Sequence, residues 1–263
     1  MMLRGEVMVD LLDTIIHSDC FNILPTIPDH SVDMILCDLP YGKTAAKWDI
    51  ILPMDKLWAE YKRLIKPRGA IVLTAVQPFT SLLVTSNLKW YRHSWVWDKV
   101  WVSGFQTAKV RPMQQHEDIV VFGRDSTYYS PQMEILDKSY SSHGAKTSHL
   151  YGDGLYQTSH LRTYTHRYPA SILRIRKDRQ DHFHPTQKPV ALFEYLIKTY
   201  TREGDTVLDH CSGSGTTSIA AYLTNRHFIC IEKDAEYHRK SVERLQRERR
   251  KIRSWAFPEL ASA

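Results

Sequence analysis

The sequence predicts an α/β protein built on a mostly parallel sheet, with one inserted region. Three observations carry this. Short apolar strands alternate with helix-length segments at both ends of the chain, the rhythm of a sheet joined by crossover helices. A glycine-rich turn joins a buried strand to a helix in the C-terminal third, at residues 206–224. Between the two rhythmic parts, over residues 124–182, no periodicity holds for long.

In order along the chain, Leu11–His17 reads as a strand and Ser31–Cys37 (SVDMILC) as a second, mostly apolar one. Over Asp55–Ile65 the apolar residues Leu57, Trp58, Tyr61, Leu64 and Ile65 recur at helical spacing, and Lys66-Pro67-Arg68-Gly69 ends the segment. Ala70–Ala75 (AIVLTA) follows as a buried strand, then His93–Val102 and Asp118–Phe122 as two more. Residues 124–182 hold 7 of the 14 tyrosines, 5 of the 13 histidines, and nine Lys or Arg against six acids. A featureless surface insertion is one reading of that span, but it is too long for an idle loop in a compact domain. The rhythm then returns with a helix at Val190–Tyr200, a strand at Thr206–Asp209, a helix at Thr217–Thr224 and a strand at His227–Glu232. A helix over Ala235–Trp255 closes the chain. Its residues 239–253 carry eight Lys or Arg against two Glu and read as a solvated face more readily than as a contact surface. The expected division is one domain from 1–123 and 183–263, with 124–182 inserted.

Composition bounds the function classes. Of the 263 residues, 43% are hydrophobic and 24% charged, the balance of a folded protein rather than a disordered or fibrous one. The longest apolar runs are strand-length, so no membrane span is expected. Arg4, Glu6, Asp10, Asp13 and Asp19 near the start do not suit a secretion signal. Cys20, Cys37, Cys211 and Cys230 stand far apart with no CxxC pair, which fits a reducing, cytoplasmic setting better than a disulfide framework or zinc knuckle. His182 and His184 have metal-like spacing around Phe183, but nothing extends the pair into a ligand set, and no metal site is expected. The net charge of +6 points mildly to an anionic partner and decides little.

Two segments carry chemistry. Thr206–Asp209 runs into His210-Cys211-Ser212-Gly213-Ser214-Gly215-Thr216-Thr217 before a helix. Glycines there let backbone approach a ligand closely. There is no GxxxxGK for a triphosphate, and no third glycine for a dinucleotide fingerprint. Asp209 before the loop and Glu232 at the next strand's end suit a cationic, phosphate-free nucleoside whose ribose hydroxyls a carboxylate can accept. A tight turn without any ligand is the bland alternative. The second segment, Asp38-Leu39-Pro40-Tyr41-Gly42, also follows an apolar strand. Asp38 and the Leu39 carbonyl could accept both hydrogens of one amino group, and Tyr41 offers a face for a planar ring. Taken alone, a strand end turned by Pro40 with Tyr41 in the core explains it more simply.

Together with HPTQKP at His184–Pro189, these motifs resemble those of the amino-group DNA methyltransferases, which use S-adenosylmethionine to methylate adenine N6 or cytosine N4. Their order, DLPY first and the glycine loop last, is similar to the permuted group labelled β. The resemblance spans nearly the whole chain and includes the WxK…GF…AK…HE stretch from Trp97 to Glu117. It implies a Rossmann-like, seven-stranded methyltransferase sheet with helices on both faces, and double-stranded DNA as partner. Members of the group often pair as homodimers.

Carried over position by position, the resemblance makes Asp38 the acceptor for the target amino group, helped by the Leu39 carbonyl beside Pro40, with Tyr41 stacking on a flipped base. Cys211, Gly213, Ser214, Gly215 and Thr216 would line the methionine part of the cofactor, with Asp209 just ahead of them. Glu232 would hold its ribose, Asp19 with its neighbour Cys20 would face its adenine, and Lys188 would close over the methionine end. Arg162, Arg167, Arg174, Arg176 and Lys177, in or beside the insertion, are candidates to touch phosphates or guanine edges, although any one of them can equally be plainly solvated. Two departures stand out: Leu39 replaces the commoner proline, which leaves the carbonyl intact, and Cys211 replaces a frequent aromatic, which bears on cofactor affinity. Members that begin the first motif with Asp mostly methylate adenine, so N6-adenine is expected. Cytosine N4 remains the nearest alternative, with RNA or a protein amide as more distant substrates. A catalytically silent DNA-binding module is a further alternative, and the intact motif residues argue against it.

Overall fold

The structure, a computed structural model, describes residues 10–43, 46, 48–143, 161–178 and 182–256. They fall into two compact units, one within Met1–Ser130 and Ser171–Ala263, the other within Pro131–Ala170. Among the described residues the strands are β1 (Thr14–His17), β2 (Val32–Asp38), β3 (Ile65–Ala75), β4 (Tyr91–Ser103), β5 (Gln114–Phe122), β6 (Glu134–His143), β7 (Leu161–Arg167), β8 (Ile172–Arg174), β9 (Thr206–Asp209) and β10 (His227–Glu232). The helices are α1 (Cys20–Ile23), α2 (Met54–Leu64), α3 (Phe79–Ser86), α4 (Val190–Tyr200), α5 (Thr216–Leu223) and α6 (Ala235–Ala256).

The larger unit holds one mixed sheet in the order β1-β10-β9-β2-β3-β5-β4-β8. Neighbours pair in parallel except β5, which is antiparallel to both β3 and β4. The mostly parallel architecture is as expected. The sheet has eight strands rather than seven, because the short β8 pairs in parallel with β4 at the far edge. Three residues are too few to show a strand's alternation in sequence.

Alternation across the sheet explains why β2 reads as an unbroken apolar run. Ile35 and Cys37 join the core on one face, while Met34 and Leu36 join the core on the other. Helices cover both faces, so Met34, Ile35, Leu36 and Cys37 are all buried. Leu57, Trp58, Tyr61 and Leu64 of α2 and Phe79 and Leu83 of α3 close the first face. Leu192, Phe193, Leu196 and Ile197 of α4, with Ile219 and Ala220 of α5 and Leu245 of α6, close the second. Helix α2 stops at Leu64, but Ile65 turns directly into extended backbone (φ −72, ψ 135) and starts β3, five residues earlier than its apolar core suggests. No described helix is long and apolar enough to cross a membrane.

The smaller unit is narrower than the expected span of 124–182. The backbone N–H groups of Tyr128 and Ser130 donate to Arg68 and Thr199, and Val96 donates to Ser171, so both flanks belong to the larger unit. Within the smaller unit β6 and β7 pair antiparallel, with Tyr140 opposite Tyr164 and their rings stacked 5.2 Å apart.

Topology places the functional region. The chain passes from β2 to β3 on one side and from β9 to β10 and β1's edge on the other, so the strand order reverses between β2 and β9. Crevices at such a reversal, beyond the carboxyl ends of the strands, are where open α/β sheets hold ligands. The segments that leave there are the ones beginning at Asp38, Asp209, Glu232 and, at the edge strand, Ser18–Asp19.

Candidate active site

A cavity of about 580 Å³ opens at that reversal. Its walls include Asp38, Leu39, Pro40 and Tyr41 from the end of β2, and Asp209, Cys211, Gly213, Ser214 and Thr216 around the glycine loop. Glu232, Lys188, Asp19 and Cys20 complete the set that sequence reasoning placed near a cofactor. Gly215 is not part of the wall; it sets the turn beneath it. All but Lys188, which precedes α4, lie at or after four strand ends that parallel pairing brings together: Met34 and Ile35 of β2 pair with Val207 and Leu208 of β9, and His17 of β1 with Glu232 of β10.

Asp38 is held by three donors. The hydroxyls of Tyr41 and Thr74 both donate to its Oδ1, and Lys188 Nζ donates to Oδ2 at 2.6 Å. Thr74 pairs with Asp38 across β2 and β3 and is fully buried there. Lys188 also stands 3.2 Å from Glu117 Oε2, and Lys99 stands 3.3 Å from Glu117 Oε1. Burial works against the charge on Lys188, but the Asp38 and Glu117 carboxylates outweigh it and hold its pKa above the usual lysine value. Glu117 behaves conversely: burial raises it, but Lys188, Lys99 and Lys177 hold the carboxyl below its usual range. The result is a buried alternating chain of charges ending at Asp38. Tyr41 is half-buried, with its ring tilted against Phe79 at 5.4 Å, and the turn after it is pinned by Asp49, which accepts the backbone N–H groups of Gly42 and Lys43.

The glycine loop is anchored from below. Asp209, almost fully buried, accepts from the Cys211 N–H with one oxygen and from the Thr217 hydroxyl with the other. Burial pushes its carboxyl up to about 7, so its role here is to latch the loop to α5. Gly215 caps α5 with φ +72, and a Cβ on it would lie 2.9 Å from the Ser241 Cβ; only glycine fits without displacement. Glu232 accepts the Gly213 N–H at 2.7 Å and the Asp234 N–H at 2.8 Å, tying the loop to the end of β10. Burial raises its pKa despite those bonds. Thr216 donates to the Lys188 carbonyl, and Arg244 of α6 reaches the Ser214 carbonyl and the Thr216 hydroxyl. Asp19 caps α1 through the Phe21 N–H and pairs with Lys233 at 2.8 Å; that lysine holds its carboxyl below the usual range. His184 packs edge-on to Tyr237 at 4.3 Å and beside Trp48, and burial pushes its imidazole down to about 4.

The basic candidates near the insertion divide. Arg167 pairs with Glu134 within the β6–β7 ribbon. Arg174 pairs with Asp98 but stays 75% exposed, and Arg176 is exposed. Lys177 is half-buried, and it belongs to the Glu117 charge cluster rather than to an open surface: burial lowers its pKa, and Glu117 opposes that. Arg162 lies on β7, and its side chain is outside the described residues. Sequence reasoning missed Thr74, Asp49, Glu117 as a partner of Lys188, and Arg244. Arg244 is 4% exposed, inside the helix taken as a solvated face, so the eight cations there do not act alike. Its signal in sequence was slight: Ser241, Val242 and Leu245 beside it are small or apolar residues in a stretch otherwise mostly charged.

Comparison with known proteins gives a consistent picture. A family described as DNA methylase matches residues 32–243. The DNA adenine methyltransferase YhdJ of Escherichia coli (strain K12) is 32% identical over 256 residues, covering 88% of this chain and 82% of that protein. The type II methyltransferase M.HpaI of Haemophilus parainfluenzae is 29% identical over 254 residues, covering 89% of this chain and 74% of that protein. Among solved structures, that of an M1.HpyAVI–SAM complex superposes with a TM-score of 0.59 at 24% identity, over 88% of this chain and 98% of that one, a likeness of fold.

Proposed function

The chain belongs to the DNA methylase family of N6 and N4 methyltransferases, and from that premise we propose that it transfers a methyl group from S-adenosylmethionine to the N6 amino group of an adenine flipped out of double-stranded DNA. The observation that carries the reading is Asp38, fixed by Tyr41, Thr74 and Lys188 at the rim of the cavity that the glycine loop and Glu232 also line. The cavity fits the cofactor's chemistry. Glu232 presents a half-buried carboxylate with lone pairs beyond those its two backbone donors use. Gly213 adds no Cβ between the loop and His184, where one would lie 3.4 Å from the imidazole Nε2. Asp19 and Cys20 supply the far wall.

The bound cofactor supplies an electrophilic methyl on a sulfonium, so no nucleophilic side chain is needed. This chain's residues position the amine and stabilise its charge. A carboxylate offers about four acceptor directions; three donors use three at Asp38, which leaves one for an N–H of the target amino group, with the Leu39 carbonyl for the other. The negative charge of Asp38 favours the positive charge that grows on the nitrogen as the methyl arrives. Glu117 offsets the charge of Lys188, so that lysine orients Asp38 without cancelling its field. Tyr41 and the planar Trp48 stand at the same rim to face a base. Flipping that base costs a few kcal/mol. Exposed Arg174 and Arg176 and the tyrosine-rich β6–β7 ribbon are the surfaces proposed to supply phosphate and base contacts.

The test is incubation of the purified protein with labelled S-adenosylmethionine and unmethylated genomic DNA, then hydrolysis and identification of the labelled base. N6-methyladenine is the expected product. N4-methylcytosine would overturn the adenine assignment while keeping the site, and absence of label in DNA would overturn the substrate.

A further inference from the structure

One wall of the cavity carries a cluster of two thiols and an imidazole to which the methyl-transfer reading gives no chemistry, although the resemblance sets one of them, Cys211, along the cofactor. Cys37, the last residue of β2 before Asp38, faces His210 and Cys211, the first two residues after β9. One sulfur, one imidazole nitrogen and the second sulfur all lie within 4.8 Å of one another. His210 Nδ1 stands 3.3 Å from Cys211 Sγ, and its Nε2 is hydrogen-bonded to the Tyr61 hydroxyl at 2.6 Å. Tyr61 is fully buried on α2, so the outer nitrogen is fixed and the inner one is aimed at the sulfurs. Cys37 and His210 are buried, while Cys211 is half-buried, and His210 and Cys211 line the cavity. That supplies an entry path.

Two thiols and an imidazole held on three separate backbone positions form a donor set for a borderline-soft cation. Such ions favour thiolate and imidazole over oxygen, and three protein ligands leave a fourth position open. A ligating histidine donates its other ring N–H to an acceptor, and the buried Tyr61 phenol oxygen stands where it can accept that bond from His210 Nε2. Two thiolates also balance a divalent charge, so the loaded cluster is neutral and tolerates its buried setting.

We propose that Cys37, His210 and Cys211 bind one thiophilic divalent cation of the zinc class at the wall of the cavity, beside the glycine loop. Binding releases the two thiol protons to solvent and involves no redox change. The site is independent of which base, if any, the protein methylates.

The test uses the full chain, freed of metal and kept reduced by a phosphine, with Co²⁺ as the probe. One equivalent is expected to produce a thiolate-to-cobalt charge-transfer band that Zn²⁺ abolishes. Cys211→Ser and Cys37→Ser are each expected to weaken the band and the affinity by about tenfold or more. Cys230→Ser, on the strand β10 and in the opposite core, is expected to leave both unchanged. Because Cys37 is buried and its variant can lose the fold, a second measurement uses the unaltered protein: one equivalent of Zn²⁺ is expected to protect Cys211 from iodoacetamide, read by peptide mass spectrometry. Absence of a charge-transfer band, a band indifferent to both serine variants, or equal alkylation of Cys211 with and without Zn²⁺ would each overturn the proposal.

Discussion

Replacing Lys188 by methionine tests the buried charge chain that ends at Asp38. The side chain is 5% exposed and lies 2.6 Å from Asp38 Oδ2 and 3.2 Å from Glu117 Oε2. Methionine keeps most of the volume and removes the charge, so both carboxylates lose their shared cation. Asp38 retains only the Tyr41 and Thr74 hydroxyls, and Glu117 retains Lys99 at 3.3 Å. Removing one partner of a buried ion pair costs about 3–5 kcal/mol. In a domain of this size each kcal/mol moves the midpoint by about 2–4 °C, so a fall in Tm on the order of 6–20 °C is expected. Adding Glu117→Gln removes one of the stranded charges, so the double variant should be more stable than the sum of the single losses predicts, with a coupling of about 1 kcal/mol or more. Urea and thermal unfolding of the parent, both single variants and the double variant at pH 7 give the cycle. A Lys188→Met protein within about 1 kcal/mol of the parent, or strict additivity in the double variant, would refute the idea that this lysine neutralises two buried carboxylates.

Asp38→Ala is expected to lose at least about tenfold in methyl transfer, since a hydrogen bond to a charged group contributes about 1.5–3 kcal/mol, while S-adenosylmethionine binding by calorimetry persists; near-parental turnover sinks the assignment. Gly215→Ala combines positive-φ strain with a 2.9 Å clash at Ser241, whereas Gly204→Ala, at φ +80 with open space around its Cβ, carries strain alone. The first should cost about 2–5 kcal/mol and the second about 1–2, and equal losses in denaturation would remove the packing argument. His184 titrates at about 4 in the fold against 6.5 ordinarily. Between those values the unfolded chain binds the proton that the folded chain refuses, so stability falls as pH drops through that window, by about 2 kcal/mol at pH 5. His184→Asn should flatten that part of the stability–pH profile, and an unchanged slope would contradict the burial of a neutral imidazole.

What the sequence determined by itself is local. Val190–Tyr200, Thr206–Asp209 and His227–Glu232 read from periodicity coincide with α4, β9 and β10 residue for residue, because an apolar stripe or run is written in consecutive residues. The same holds for the DLPY turn and the glycine loop, whose members are neighbours along the chain. Helix α3 escaped because TSLLVTS carries no clear helical stripe, and β8 because three residues show no period. The partnerships within the site were decided only by tertiary structure. Thr74 reaches Asp38 through the register of β3 on β2, and Glu117 reaches Lys188 because β5 returns antiparallel to β3. Cys37 and Cys211 were read as isolated thiols on their spacing, yet the pairing of β2 with β9 brings their sulfurs together. Arg244 turns inward from a helix on which Arg239, Arg250 and Lys251 are exposed. Sheet register and helix docking set these meetings, and both depend on which strands lie side by side, information that no stretch of the chain contains alone.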